Sequence, residues 1–118
     1  MTKGQLESEI SRSLTQWEKD FLGRGSVTVK TDILRDMIIV VLKGVLSPAE
    51  HRLSETQEGL LSVKKNRADL VESGRKELGE IIQNLSGQEV TIFHTDISTR
   101  TGERIMVFKL SSDLEAKL

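Results

Sequence analysis

The chain has 118 residues, with 17 Lys and Arg against 18 Asp and Glu for a net charge of -1, and is long enough for one domain with one hydrophobic core. This even balance excludes a strongly basic nucleic-acid binder by bulk charge, and an aromatic content of 3% leaves few surfaces on which bases could stack. The absence of cysteine removes disulfides, thiolate metal sites and cysteine nucleophiles, and makes the cytoplasm the expected location.

The N-terminal stretch carries charges throughout and lacks the apolar centre of a signal peptide. No segment approaches the roughly 20 apolar residues of a membrane span. Direct membrane insertion is therefore not expected, and any membrane association would go through a partner.

Leu6, Ile10, Leu14, Trp17 and Phe21 fall at helical spacing on one stripe. Together with the Thr2–Gln5 capping pair, they predict a helix from about Lys3 to Leu22, ended by Gly23 and Gly25. VTVKTDIL from Val27 and MIIVVLKGV from Met37 then predict two antiparallel strands joined at Arg35–Asp36. The second strand is apolar on both parities. Met37, Ile39 and Val41 lie on one face and Ile38, Val40 and Leu42 on the other, so helices on one side and a partner subunit on the other would cover it. Ile38, Val40 and Leu42 are taken as the candidate oligomer interface, in a homodimer.

Ser47-Pro48-Ala49-Glu50 carries a capping residue, a first-turn proline and a reciprocal glutamate, which start a short helix. After a break near Thr56 to Gly59, apolar residues from Leu60 to Leu85 recur at helical spacing up to Ser86–Gly87, predicting one long helix weakened at Gly74 and Gly79. VTIFHTDI from Val90 and RIMVFKL from Arg104 flank a polar loop containing Gly102 and read as a second hairpin. Residues Ser111 to Leu118 are expected to form a loose or helical tail. The order α-β-β-α-α-β-β predicts a single α+β domain over 1–118, a four-stranded antiparallel sheet of two hairpins with helices on one face.

Chemistry-bearing groups are sparse. His94 and Asp96 lie two apart in a strand and project from the same face, yet a metal needs a third ligand and His51 belongs to a charged helix start. Strand-end polar residues that hydrogen-bond the following loop are the preferred account of them. Gly23-Arg24-Gly25 offers backbone donors and a guanidinium to an anion, but lacks the length and lysine of a phosphate loop and also serves as a turn. Lys64, Lys65, Arg67, Arg75 and Lys76 make the long helix locally basic, while Asp69, Glu72, Glu77 and Glu80 supply neighbours for pairing.

The run FLGRG, then RDMIIVVLKGVLSPAEHRL, the T-x-E-G of Thr56 to Gly59, and HTDISTRTGERIMVFKL together resemble the MpsC-like family of small bacterial proteins, over about Gln5 to Leu110. That family is named for a component of a sodium-linked, membrane-potential-generating system associated with bicarbonate uptake, and the resemblance carries over no catalytic residues, metal or cofactor. Together with the doubly apolar second strand, which points to a homodimer, it implies a non-enzymatic accessory or interaction protein that works beside a membrane transporter subunit. The shared polar positions Arg24, Arg35, Arg67, Asp96 and Glu103 are candidate ligand or partner contacts, equally suited to ion pairing. The alternative is a nucleic-acid or anionic-ligand module built on the Arg24 turn and the basic long helix, although the composition argues against a nucleic-acid partner.

Overall fold

A computed structural model describes residues Met1–Leu118. Helix α1 (Lys3–Trp17) begins at the Thr2–Gln5 capping box and continues through a wider π-helical turn, Glu18–Leu22. Strands β1 (Thr28–Leu34) and β2 (Met37–Lys43) follow, then helices α2 (Pro48–Leu53), α3 (Gln57–Ser73) and α4 (Arg75–Ser86), strands β3 (Val90–Ile97) and β4 (Arg104–Leu110), and a short 3-10 turn, Glu115–Lys117. The strands form one antiparallel sheet in the order β1-β2-β4-β3. The expected α+β architecture of two hairpins and a helical layer is present.

The long helix is interrupted at Gly74, for a packing reason. A Cβ there would overlap the Trp17 indole, so the break lets α1 press its aromatic end against the α3–α4 joint. Trp17 stacks on Phe21 with ring centroids 5.2 Å apart, and its buried Nε1 is left without a hydrogen-bond partner. Gly79 meets nothing within 4 Å of an added Cβ, and α4 runs through it unbroken.

Twenty buried apolar residues form a single core. From the sheet it takes Ile33, Ile38, Val40, Leu42, Met106 and Phe108, and from α1 and α4 it takes Ile10, Leu14, Leu78 and Ile82. This corrects the assignment of Ile38, Val40 and Leu42 to an oligomer interface. They are 0% exposed because the parity they share faces the helices. On the other face of the sheet, Met37, Ile39 and Val41 remain half-buried, Ile92 and Ile105 are exposed, and no helix covers them.

The tail is docked rather than loose. Leu114 is buried, and the hydroxyls of Ser111 and Ser112 donate to Oε1 of buried Gln88. Glu115 accepts from Lys3 Nζ at 2.7 Å and from the Arg35 amide at 3.0 Å, and its own amide donates to the Arg35 carbonyl. Arg35 occupies the left-handed region, with φ of 54°, in the two-residue turn between β1 and β2, a conformation costly for a residue with a side chain. The tail holds that turn from both sides.

Candidate functional site

The polar residues singled out in the sequence divide between the two ends of the sheet. Arg35 lies at the β1–β2 turn. Arg24, Arg67, Asp96 and Glu103 lie toward the other end, where β2 finishes and α2 begins, about 23 Å away along the seven residues of β2.

At that second end, the FLGRG segment folds as a corner. Gly23 takes a positive φ of 82° to end the π-helical turn. Arg24 then donates from Nη1 to the Val45 carbonyl at 2.6 Å and from Nη2 to the Gly44 carbonyl at 3.3 Å. Its guanidinium thereby satisfies backbone acceptors where β2 leaves the sheet. Glu18, 4% exposed, accepts from the Ser26 amide at 3.0 Å and its hydroxyl at 2.6 Å, which closes the corner from inside.

Beyond Val45 a chain of polar contacts crosses four elements. The Glu50 carboxylate closes the α2 capping box by accepting from the Ser47 amide. It also accepts from Arg67 Nε at 2.8 Å and from Arg67 Nη2. This bidentate Arg67 pairing, and then the Ser47 amide, hold the Glu50 carboxyl down at about 2 against an ordinary 4.5. The Arg67 carbonyl in turn accepts from Arg104 Nη2 at 3.2 Å, while Arg104 Nη1 donates to Thr95 Oγ1 at 2.8 Å. Arg104 is 3% exposed. Burial, and then the nearby Arg67 charge, lower its pKa to about 10, so the group stays protonated at neutral pH.

Asp96 stands at the rim of this end, exposed, with Lys64 Nζ 3.4 Å from its carboxylate. It shares an open surface recess with Lys64, Ser98, Thr101 and Glu103. His94, on the same face of β3 as Asp96, is also exposed, and the two make no hydrogen bond or ion pair with each other. His51 lies against Gly102, where an added Cβ would stand 3.1 Å from its ring. Among the basic residues of the long helical stretch, Lys65 pairs with Asp69 and Arg75 with Glu72. Arg75 also donates to the Phe93 carbonyl and lies over the Phe93 ring at 5.3 Å.

Arg24 and Arg67 are thus brought to one region with their guanidinium groups engaged, Arg24 by backbone carbonyls and Arg67 by Glu50, Asp96 and Glu103 share the rim, and Arg35 is apart. Sequence reasoning missed Glu18 and Arg104. The signal for Arg104 was its parity: in RIMVFKL it shares a face with Met106, Phe108 and Leu110, all core residues. Glu18 likewise follows Leu14 by four on the apolar stripe of α1. A second concavity, an open groove between α1 and α4, is lined by Trp17 and Phe21 together with Gln16, Asp20 and Glu77.

An α+β domain in which Arg24 ties the corner after α1 to the end of β2 and Arg67 ties α3 to the start of α2 is the frame on which the sequence pattern FLGRG … SPAEHRL is displayed. Residues 2–112 match the family described as the Na+-translocating membrane potential-generating system (MpsC), and the chain belongs to that family. It is also 63% identical over 117 residues to the uncharacterised protein YbcI of Bacillus subtilis (strain 168), a match that covers 99% of this chain and 94% of that protein. No solved structure matches it. No helix is long and apolar enough to cross a membrane.

Proposed function

We propose that the protein is a non-enzymatic accessory component of a sodium-linked, membrane-potential-generating or bicarbonate-uptake system, working in the cytoplasm beside a membrane-embedded subunit. The observation that carries this reading is the family match across residues 2–112. The disposition of the shared polar residues supports it, because Arg24 is engaged with the Val45 carbonyl and Arg67 with Glu50 rather than converging on an open cavity. A scaffold held rigid in this way suits presentation of a surface to another protein.

The alternative, an anionic-ligand or nucleic-acid module, would need Arg24 and Arg67 to leave the Val45 carbonyl and Glu50, and Lys64 and Lys65 to exchange Asp96 and Asp69 for phosphates. Each exchange forfeits an existing contact.

The test is physiological. In a host that uses such a system, loss of the protein is expected to lower the Na+-dependent part of the membrane potential and to slow growth on limiting bicarbonate, with both restored by the wild-type chain. Unchanged potential and growth would overturn the proposal. Salt-dependent retention of mixed RNA or DNA, weakened by Lys64→Ala with Lys65→Ala, would move the assignment to the alternative.

A further inference from the structure

The sheet face that the helices leave open carries an ordered pattern of side chains. The strand registers place them in three rows running across the sheet from β1 to β3: Lys30, Val41, Ile105 and Asp96; then Asp32, Ile39, Val107 and His94; then Leu34, Met37, Lys109 and Ile92. The middle of the face is aliphatic apart from Lys109, with Ile105 47% exposed, and the margins of the first two rows carry Lys30 and Asp32 on β1 against Asp96 and His94 on β3. Neither sheet edge is a bare template. Glu7 of α1 accepts the Ile33 amide of β1 at 2.8 Å, and Arg75 of α4 reaches the Phe93 carbonyl of β3, so association through the face is favoured over strand addition.

We infer that this face docks on the same face of a second copy of the chain, forming a homodimer whose two-fold axis runs along the strand direction. Such an axis lays each row on itself in reverse, with β1 of one copy over β3 of the other. Lys30 then meets Asp96 and Asp32 meets His94. Val41 meets Ile105, Ile39 meets Val107, Leu34 meets Ile92, and the methylene stem of Lys109 covers Met37.

The other two-fold, across the strands, sets the middle row on itself without that exchange and opposes Asp32 to Asp32 and His94 to His94. Like charges in register are unfavourable, so the charge pattern selects the first arrangement. Aligned packing of two twisted sheets at about 30° preserves these pairings near the centre of the interface.

Lys64, which approaches Asp96 within the chain, and Asp36, which pairs with Lys109, remain at the margin as additional neighbours of these charges. With strands about 4.8 Å apart and a rise of about 3.3 Å per residue, the face is roughly 19 by 23 Å. That is the small end of specific interfaces, so the dimer should dissociate on dilution.

The experiment is sedimentation of the full chain between about 1 and about 300 µM, comparing wild type with Lys30→Asp, Asp96→Lys and the double reversal. Both sites of change are exposed, and circular dichroism should show four folded proteins. The expected result is a concentration-dependent dimer whose dissociation constant rises at least about tenfold in each single reversal and returns to near wild type in the double variant. A wild-type chain that stays monomeric throughout, or a dimer indifferent to both single reversals, would overturn the inference. Neither result bears on the transport role, which is tested separately through membrane potential.

Discussion

Glu50 does three jobs with one carboxylate. It completes the helix cap of α2, anchors Arg67 of α3, and through Arg67 reaches Arg104 in the sheet. Its folded pKa of about 2, against an ordinary 4.5, means that the unfolded chain binds more protons between those values. Its stabilising contribution is therefore complete above about pH 4.5 and is lost as pH falls toward 2. Denaturant unfolding followed from pH 6 down to about 2.5 should show stability falling in this window for wild type. The part due to this site should vanish in Glu50→Gln, which keeps a capping group but no charge. An equally steep fall in the variant would assign the acid sensitivity to other carboxylates, such as Glu115, whose pKa Lys3 also lowers. The partners of Glu50 could not be assigned from sequence. The capping box is local and could be read from Ser47 and Glu50, but Arg67 is 17 positions away, and nothing in the residue string distinguishes it from its basic neighbours Lys64 and Lys65.

Among the elements, α3 and α4 show where local patterning stops being informative. Both glycines in the predicted long helix weaken it by propensity, and both were marked as weak points, yet only Gly74 interrupts it. The deciding factor is Trp17, which arrives from α1 and claims the space a side chain at Gly74 would need. Gly79→Ala is therefore expected to stabilise the protein by about 1 kcal/mol, because the added methyl meets nothing. Gly74→Ala should destabilise it by about 1 to 3 kcal/mol through overpacking. Thermal melts of the two variants would check this, and equal and favourable shifts would show that the interruption is not set by Trp17.

Strand positions, the capping boxes and the two hairpins were all readable, since period-two patterning and turn residues are local signals. Which face of β2 the helices would take was not, because both parities are aliphatic. The choice is made by the partners: Ile38 pairs across with Phe108 and Val40 with Met106 on the covered face, whereas Met37 pairs with Lys109. The charged residues scattered through β1, β3 and β4 mark the open side only once the register is known. Arg104 is the exception, a charge on the covered parity, made tolerable by Thr95 and the Arg67 carbonyl.

For the molecule as a whole, two adjacent substitutions separate the faces. Val40→Asp places an unpaired carboxylate in the core and is expected to cost several kcal/mol, enough to unfold a domain of ordinary stability. Val41→Asp, one residue on, should leave the fold intact and weaken self-association. Circular dichroism with sedimentation would separate the two effects, and comparable unfolding by both variants would mean that the outer face is needed for the fold itself.

The sheet order has a consequence for how the chain acquires its structure. The strand that ends at Leu110 does not finish at an edge; it slots between β2 and β3, where it brings together groups as remote as Asp36 and Lys109, 73 positions apart. During synthesis the first hairpin must therefore wait with one flank bare until nearly the entire domain has left the ribosome. At about 5 to 20 residues per second, the aliphatic flank of β2 stays unpaired for seconds.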